Sequence, residues 1–519
     1  NPTGNKKCFK RLKAYFRYKD QDFNGALRIY REVYETNKND AKLLFLIGQC
    51  YVQLQNMEEA ITFLQSSKQL EPKVDSKYYF LMGEAYQYLG KLDSAIYEYN
   101  QYKLLLKPSA LKDNPVIDLL SQAETAKDYM EHPVTVKITN LWTDVNSEYD
   151  DGMPSVSADG KTLIFTSRRP DTKGGGMDPN TGQYFDDIYI STWNDEKDKW
   201  NVASCVEGDL NTTGHDACLG ISPDGNTIFV YRNIAKVTGS GDIYVSTKRA
   251  DGKWGTPKTL DKPINSSYFE GSCSISSDGN TIYFVSERKG FGNADIWKST
   301  KVGKSLWSKP VNLGPVVNSI GDEATVFIHP DGKTLFFSSN RHKTMGGYDI
   351  FVTQMNPDSS WIQPVNLGYP INSTKDEKSF VITADGKNAY ISSSKDNGTG
   401  GYDLYEVDMS NYTYPVSIKG HDNNSSAASK LSILKGSVVE TNSAQQIEAT
   451  IIIKDATGKE ITKLTTNEAG EYFVTLKGDT DYYLTVEKEG YKKYSEKITL
   501  PYTKDKTNTV VKIITIEKQ

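Results

Sequence analysis

The feature that most constrains this fold is an Asp-Gly pair that occurs five times, the last four copies lying 53 or 54 residues apart. The copies are Asp159-Gly160, Asp224-Gly225, Asp278-Gly279, Asp331-Gly332 and Asp385-Gly386. Each pair separates two strand-like runs, as in a β-hairpin whose glycine takes a positive φ. A period of this length accommodates one four-stranded unit per copy, which is the size of a propeller blade.

Three further positions follow the same period. An Asn lies 14 residues before every glycine, at Asn146, Asn211, Asn265, Asn318 and Asn372. A Trp precedes four of these Asn residues by 11 positions, at Trp200, Trp254, Trp307 and Trp361. An Asp that opens a third strand follows the glycine by 16 or 17 residues in the last four copies, at Asp242, Asp295, Asp349 and Asp403. The register therefore predicts four short strands in each of five copies.

These five copies occupy residues 134–409 and predict a five-bladed β-propeller, because radial closure leaves only short, protected edges. A six-bladed ring is the alternative. Its sixth blade would have to be built from residues 412–419, which lack the Asp-Gly turn. Segments such as Ser222-Pro-Asp-Gly-Asn-Thr-Ile-Phe resemble the WD40-like repeat of TolB-type periplasmic propellers.

The recurring Asp and Asn residues could be metal ligands or catalytic carboxylates, but a group repeated around a ring does not converge on one site. A structural role, in which each copy satisfies the same backbone groups, is therefore favoured. Departures from the repeat are better binding candidates. The first copy carries about ten extra residues within 168–185, which form either a binding loop or a harmless insertion.

Loops after the second strands carry basic residues beside glycines, namely Arg168, Arg169, Arg288, Lys289, Arg341 and His342. If these loops share one rim of the ring, that rim is basic and suits an acidic protein or glycan. Ordinary solvated turns are the alternative, and the sequence slightly favours them.

The chain begins differently, with apolar residues at helical spacing between Arg11 and Leu106. Two segments align at 35 residues through Gly48, Tyr51, Ala60 and Pro72, then Gly83, Tyr86, Ala95 and, one place late, Pro108. A partial earlier copy places Ala26 before Ala60 by 34 residues. These residues resemble the tetratricopeptide repeat, in which small residues let paired helices pack closely. A closing helix is predicted over 115–132, ending at Pro133.

The resemblance implies that the first helix of each pair lines a concave groove that captures a peptide or helix of a partner. The corresponding residues are Arg11, Tyr15, Tyr18, Lys42, Phe45, Gln49, Val52, Lys77, Phe80, Glu84 and Gln87. The alternative is that they merely face solvent. Residues 6–19 also hold seven cations and no acid, which would meet an acidic partner or form a solvated helix face.

Alternating runs near the C-terminus, at 433–439, 449–454, 471–476, 482–487 and 510–516, predict a β-sandwich. Segments such as Thr466-Asn-Glu-Ala-Gly-Glu-Tyr-Phe resemble the carboxypeptidase regulatory-like domain, a module without hydrolytic residues. The predicted organisation is α first and then all-β: helical repeats with a capping helix (1–133), a propeller (134–420), a polar linker (421–430) and the sandwich (431–519).

Composition excludes several function classes. With 61 Lys plus Arg against 66 Asp plus Glu, the net charge of -5 provides no cationic field for nucleic acid or an anionic membrane. The five scattered cysteines make a disulfide framework or zinc site improbable; Cys205 and Cys218 could pair, but buried free thiols are favoured. No apolar run approaches the 18 residues of a membrane span.

Enzymatic motifs are also missing from the sequence. It contains no Gly-x-Ser-x-Gly nucleophile elbow, no His-Glu-x-x-His and no Gly-x-x-x-x-Gly-Lys phosphate loop. We therefore expect no catalytic residues, no cofactor and no metal. A hydrolase with an unfamiliar site remains the alternative.

Helical repeats, a WD40-like propeller and a regulatory-like sandwich follow one another in this chain as they do in a family of Bacteroidetes envelope proteins. The whole chain resembles that family, in particular the PorE-like subunits of the type IX secretion system. The resemblance implies a periplasmic scaffold at the outer membrane whose partners are secretion subunits, and which reaches peptidoglycan only through an OmpA-like domain absent from this chain. A propeller that senses a glycan or peptide is the alternative.

Overall fold

A computed structural model describes residues 2–178, 182–232, 241–249, 251–260, 262–303, 306–394, 398–414, 430–503 and 507–519. The chain divides into two compact units. The first, called the helical unit, comprises Asn1–Pro133 with the short segments Lys343–Gly347 and Ser373–Lys375. The second, called the β unit, holds the remaining residues.

The helical unit contains three packed helix pairs and a closing helix, as the repeat predicts. The pairs are α1 (Pro2–Lys19) with α2 (Phe23–Tyr34), α3 (Ala41–Gln53) with α4 (Met57–Leu70), and α5 (Lys77–Tyr88) with α6 (Leu92–Leu105). A short α7 (Pro108–Leu111) leads to α8 (Val116–Glu131), which packs on α6.

Glycine is needed where the paired helices approach most closely. A Cβ atom on Gly48 would lie 2.7 Å from Leu64 of α4, and one on Gly83 would lie 2.4 Å from the Tyr99 ring of α6. Helices α2 and α3 begin at side-chain caps, since Asp22 accepts the Gly25 N–H at 2.8 Å and Asp40 accepts the Leu43 N–H at 3.0 Å. The repeat positions therefore encode close packing and helix starts.

The β unit begins with a propeller. After β1 (Lys137–Asn140) and the short α9 (Trp142–Val145), blade 1 contains β2 (Asp151–Val156), β3 (Thr162–Ser167), β4 (Asp187–Asn194), β5 (Lys199–Trp200) and β6 (Ser204–Cys205). Blade 2 contains β7 (Asp216–Ile221), β8 (Thr227–Arg232), β9 (Asp242–Thr247) and β10 (Lys258–Thr259). Blade 3 contains β11 (Glu270–Ile275), β12 (Thr281–Ser286), β13 (Asp295–Thr300) and β14 (Val311–Asn312).

Blade 4 contains β15 (Glu323–Ile328), β16 (Thr334–Ser339), β17 (Asp349–Gln354) and β18 (Val365–Asn366). Blade 5 contains β19 (Glu377–Ile382), β20 (Asn388–Ser393) and β21 (Asp403–Asp408), and its fourth strand is β1. The described residues thus form five blades, and the innermost strands β2, β7, β11, β15 and β19 contact one another in a closed ring.

Strand β1 closes the ring by pairing antiparallel with β21, with Ile138 opposite Val407. The sequence pattern assigned all strands of a copy to consecutive residues and missed this exchange. The alternative sixth blade is not formed by its described residues, because Tyr412 and Tyr414 pack into the apolar core of blades 4 and 5. Residues 415–419 of that alternative lie outside the described part of the chain.

The Asp-Gly pairs form hairpin turns as predicted. The five glycines have φ between 66° and 74°. In the first copy the Ser157 hydroxyl donates to Asp159 at 2.7 Å, and Asp159 accepts the Lys161 N–H at 3.1 Å. The aspartate therefore stabilises the turn that the glycine makes possible.

The C-terminal part of the β unit is a sandwich of two sheets. One sheet contains β22 (Leu431–Glu440), β25 (Glu471–Lys477) and β28 (Asn508–Ile516), and the other contains β23 (Thr450–Asp455), β24 (Glu460–Thr465), β26 (Thr480–Glu487) and β27 (Tyr494–Leu500). Strands β24 and β27 were not predicted. Residues 421–429 of the predicted linker lie outside the described residues.

The sandwich rests directly on the Asp-Gly turns of the propeller. The Thr475 hydroxyl donates to the Pro330 carbonyl at 2.5 Å, and the Thr462 hydroxyl donates to Asp278 at 3.0 Å. An apolar cluster joins Ala158 and Ala384 of two turns to Leu431, Ile433 and Phe473 of the sandwich. These contacts seat the sandwich on the turn face of the ring.

Three of the five cysteines are buried free thiols, at Cys50, Cys218 and Cys273. Burial raises the pKa of the Cys50 and Cys218 thiols to about 12. Among the helices that the structure describes, none combines the length and the apolar character that a bilayer crossing requires.

Candidate functional site

The structure separates the eleven predicted groove residues by exposure. Tyr15, Lys42 and Lys77 are exposed, whereas Arg11, Tyr18, Gln49, Phe80 and Glu84 are partly buried. The remaining three, Phe45, Val52 and Gln87, are buried. Exposure alone does not decide which of these residues meets a partner, and the groove stays a prediction for the eight accessible ones.

Phe45 and Val52 are not surface residues, which corrects the prediction at these two positions. Both pack in one apolar core with Met57 and Leu64 of α4 and Leu81 of α5. The sequence placed them on the accessible face because helical spacing reports direction around one helix, whereas burial depends on the neighbouring pair that covers it. They hold adjacent pairs together.

Gln87 is also corrected, because its amide is used inside the helical unit. Its Oε1 accepts the Tyr99 hydroxyl at 2.9 Å, and its Nε2 donates to Gln122 at 3.2 Å and to the Met345 carbonyl at 3.3 Å. Both N–H groups and the carbonyl oxygen of this amide are therefore used in the fold, and the side chain has no donor left for a partner.

Glu84 has the opposite character. It is partly buried, and within the described residues its carboxylate makes no hydrogen bond or ion pair. Burial raises its pKa to about 7. Burial, and then the nearby Cys50 and Glu84, raise the pKa of Tyr18 to about 12, so α1, α3 and α5 bring these groups together. A cationic ligand group at Glu84 would lower its pKa and gain an ion pair.

The other accessible groove residues are partly engaged. Arg11 forms an ion pair with Asp40, the cap of α3, while its Nε is buried without a partner. The ring of Phe80 packs against those of Tyr99 and Tyr102, with centroids 6.3 and 5.2 Å away. The predicted groove therefore combines aromatic walls with one free carboxylate.

The repeated Asn residues of the propeller are structural, in agreement with the favoured interpretation. Asn318 accepts the Ile296 N–H at 2.8 Å and donates to the Ile296 carbonyl at 3.0 Å, which ties blade 3 to the segment entering blade 4. Asn146 makes the same pair of bonds to Leu404 and so joins the first and last blades. Each amide satisfies buried backbone groups.

The basic rim prediction is corrected at Arg169 and Arg288, because these guanidinium groups are bound by buried carboxylates. Arg169 donates to Asp151 at 3.0 Å and Arg288 donates to Glu270 at 2.9 Å, and each arginine also donates to a backbone carbonyl. Arg232, which the sequence did not single out, donates to Asp216 at 2.6 Å. Their charge is neutralised in the fold and is not available to a ligand.

We call the pairs formed by Arg169, Arg232 and Arg288 with their buried carboxylates the arginine locks of blades 1 to 3; within the described residues, no arginine binds the corresponding carboxylate of blade 4. Instead, the Nε2 atom of His342 donates to the Val317 carbonyl at 2.8 Å, as Arg169 and Arg288 each donate to a backbone carbonyl in their own blades. Burial lowers the pKa of His342. The blade's carboxylate, Glu323, is fully buried and accepts hydrogen bonds from Ser319 and Ser339. Because burial dominates, the pKa of Glu323 is raised to about 7.

The extra loop of blade 1 is held by charged contacts. Arg168 donates to Asp186 at 2.7 Å and to Gln183 at 2.6 Å. The Nδ1 atom of His215 lies 2.8 Å from Asp186, and its ring packs on Phe185 with centroids 4.9 Å apart. Arg168 is thus also bound internally, and residues 179–181 of the loop lie outside the described residues.

A cavity of about 20 Å³, with room for roughly one water molecule, is lined by residues of the innermost strands of the ring. Its lining hydroxyls bind the backbone between blades: Ser155 accepts the Ile221 N–H at 2.9 Å, and Ser272 accepts the Val326 N–H at 3.1 Å. A metabolite does not fit this cavity. Among the described side chains, no group of three or more His, Cys, Asp or Glu is placed to hold a metal ion.

Comparison with protein families matches residues 17–85 to the tetratricopeptide repeat. No curated protein matches the chain in sequence. Among solved structures, TolB from Acinetobacter baumannii shows 14% identity over 52% of this chain and 57% of that chain, with a TM-score of 0.31. An α-L-arabinofuranosidase from Podospora anserina shows 13% identity over 52% of this chain and 96% of that chain, with a TM-score of 0.33.

The Yersinia enterocolitica type III secretion chaperone SycD, solved with a peptide of the translocator YopD, shows 16% identity over 24% of this chain and 96% of that chain, with a TM-score of 0.22. The TM-scores of these three structures are low, so the likenesses carry no conclusion about activity. The sequence match and the fold together show a tetratricopeptide-type helical unit, followed by a propeller and a sandwich.

Proposed function

We propose that this chain is a non-catalytic adaptor that holds a partner protein on its helical unit. The observation that carries the proposal is Glu84, a partly buried carboxylate with no partner among the described residues, on a face built by tetratricopeptide-type helices. Stacked helix pairs of this kind present extended concave surfaces for binding. A basic or protonated group of the partner is the natural complement of Glu84.

The propeller supports this role as a rigid body. Its repeated amides, its buried carboxylates and three of its arginines bind one another or the backbone. These observations favour an adaptor over a hydrolase and leave the helical unit as the better place for recognition.

The more specific proposal is a periplasmic scaffold of a type IX secretion complex, associated with the outer membrane. Its support is the order of the three modules, which resembles that of the PorE-like proteins.

The test is co-purification of the tagged full chain from envelope fractions of its host, with identification of the captured proteins. We expect secretion subunits with the unchanged chain and about tenfold less of them with Glu84→Lys, because the substitution repels the group that Glu84 binds. Glu59→Lys, at an exposed position of α4, is the matched control and should capture as much as the unchanged chain.

Two outcomes count against the proposal at different levels. Normal secretion in a strain that lacks the chain would contradict the role in type IX secretion. Equal capture by Glu84→Lys and the unchanged chain would contradict binding at Glu84, whatever proteins are captured.

A further inference from the structure

Helix α1 carries an apolar stripe that nothing in the described residues covers. Phe9, Leu12 and Phe16 have the spacing i, i+3 and i+7 and are 71%, 50% and 56% exposed. Tyr15 lies beside them and is 45% exposed. We call Phe9, Leu12 and Phe16 the α1 stripe. So many large apolar side chains exposed on one helix are typical of an interaction surface.

The repeat itself shows what kind of element covers such a face. At the 34-residue offset, the α1 stripe corresponds to Leu43, Leu46 and Cys50 of α3, and in the next pair to Tyr78, Leu81 and Ala85 of α5. All of these are buried except Leu46, which is partly buried. The stripe therefore occupies a position that is covered in both later copies.

In the second copy the cover is a helix. Leu43 and Cys50 pack in one core with α2, the helix that precedes α3. The contributing residues of α2 have the spacing i, i+3, i+4 and i+7, namely Ala26, Ile29, Tyr30 and Val33. In the third copy, α4 precedes α5 and packs on it in the same way. The face is shaped for an amphipathic helix.

Charge distinguishes the α1 face from its two internal counterparts. Lys10, Arg11 and Arg17 form ion pairs with Glu32, Asp40 and Asp22 respectively. Lys13 and Lys19, both exposed beside the stripe, form no ion pair with the described residues. The positions that correspond to Lys13 are Ile47 in α3 and Met82 in α5, both buried. Stacking between repeats does not need a cation here.

We propose that the α1 stripe binds an amphipathic helix of a partner protein, whose apolar residues follow the i, i+3, i+4, i+7 spacing and are flanked by acidic residues. The apolar spacing follows from the helix that covers the same face of α3, and the acidic flanks follow from Lys13 and Lys19. This surface is separate from Glu84, so it goes beyond the proposed function and uses the opposite charge.

The test uses stapled helical peptides as probes and the full chain as receptor, with binding followed by fluorescence anisotropy. Both peptides carry Leu at i, i+3, i+4 and i+7, and the flanking positions are Glu in one and Lys in the other. We expect the Glu peptide to bind at least about tenfold more tightly than the Lys peptide, and to weaken as salt is raised.

The variant Leu12→Ser/Phe16→Ser should lose the Glu peptide by about tenfold or more, while its thermal unfolding stays unchanged because both side chains are exposed. The matched control is Tyr97→Ser/Leu104→Ser, which removes exposed apolar residues from α6 and should bind as the unchanged chain does. The outcome of the Glu84→Lys experiment does not change what is expected here, so either proposal can fail without the other.

Several outcomes would overturn the proposal. Equal affinity for the Glu and Lys peptides would contradict an acidic partner. Unchanged binding by Leu12→Ser/Phe16→Ser would show that the α1 stripe is not the binding surface. A full chain that sediments as a dimer and becomes monomeric in that variant would show a second copy on the face. Binding to vesicles with about one-third anionic lipid, lost in the same variant, would show a membrane there instead.

Discussion

The helical unit and the propeller are both built from repeats, but they differ in whether the side chains of each copy have partners within the fold. In the propeller, residues that recur between copies bind the backbone or one another, as Asn318 and the pair Arg232–Asp216 do. In the helical unit, the first copy differs from the others at the α1 stripe and leaves it exposed. Repetition thus marks what holds the fold, and departure from it marks the candidate binding surface.

The largest effect is expected from removing an arginine lock in the propeller. Arg232→Ala leaves Asp216 fully buried without a cation and should cost about 3–5 kcal/mol of the free energy of unfolding. All seven Trp residues lie in the β unit, so tryptophan fluorescence during urea unfolding reports on it alone. Arg249→Ala, which removes an exposed pair with Asp251, should change that free energy by less than about 0.5 kcal/mol.

Equal effects of the two substitutions would show that the buried arginines resemble surface cations, and the basic-rim interpretation would return. This interpretation does not hold at Arg169 and Arg288, because each of them meets its carboxylate 18 residues away along the chain, as Arg232 does at 16 residues. A signal was present: an acid lies nine residues before every Asp-Gly glycine, at Asp151, Asp216, Glu270, Glu323 and Glu377. The recurrence of this acid in every copy predicts that it is buried and has a partner within the fold.

In blade 4 the effect of a missing arginine lock can be measured by changing the pH, because Glu323 has no such lock and has a pKa of about 7. A folded pKa above the usual 4.5 means that its contribution to stability is complete below about pH 4.5 and is lost as the pH rises through 7. Glu323→Gln removes this loss. At pH 8 the variant should exceed the unchanged chain by up to about 3 kcal/mol, and near pH 4 the difference should vanish.

Tryptophan fluorescence during urea unfolding at several pH values measures this difference for the β unit. Glu84, whose pKa is also raised to about 7, titrates in the helical unit, so Glu84→Gln serves as the control and should leave the tryptophan transition unchanged. A difference between Glu323→Gln and the unchanged chain that stays constant from pH 4 to 8 would show that Glu323 does not titrate in this range.

A smaller effect is expected from one repeated amide. Asn318→Ala leaves the N–H of Ile296 buried and unpaired, at a cost of about 1–3 kcal/mol, while the Ile296 carbonyl still accepts the Leu313 N–H at 3.1 Å. Asn356→Ala is the control, because Asn356 bonds only to the exposed Ser360 through its side chain. If the two variants unfold alike, the recurring Asn residues do not hold the ring, and a ligand role for them would have to be considered again.

The smallest effect on stability is expected in the helical unit. Leu12→Ser/Phe16→Ser should change the free energy of unfolding of the helical unit by no more than about 0.5 kcal/mol, since both side chains are exposed. Circular dichroism at 222 nm follows this helical unfolding transition. A loss of several kcal/mol would mean that the α1 stripe is part of the core and would remove it as a binding surface.

The sequence predicted the features whose signals are local. The Asp-Gly turns identify hairpins because the glycine conformation is set within two residues, and the small residues Gly48 and Gly83 identify paired helices because they allow close approach. Their periods then predict blades and repeats. These signals were sufficient for the five-bladed ring and the three helix pairs.

The long-range features could not be predicted in the same way. Strand β1 pairs with β21 across the entire ring, and its one trace in the sequence is the first copy, which has no Trp 11 residues before Asn146. Phe45 and Val52 were assigned to the groove because their burial depends on a neighbouring helix pair, which spacing along α3 does not report. Tertiary packing decides both cases.

The central claim is that recognition belongs to the helical unit and not to the propeller, and photocrosslinking in the host at the α1 stripe tests it most directly. A photoreactive amino acid replaces Phe16 in the full chain, with Tyr97 of α6 and Ile320 of the propeller as comparison sites that are at least as exposed. We predict one protein adduct, at Phe16 alone, whose crosslinked peptide is an acidic amphipathic helix. Adducts of the same yield at all three positions, or none at Phe16, would contradict the account.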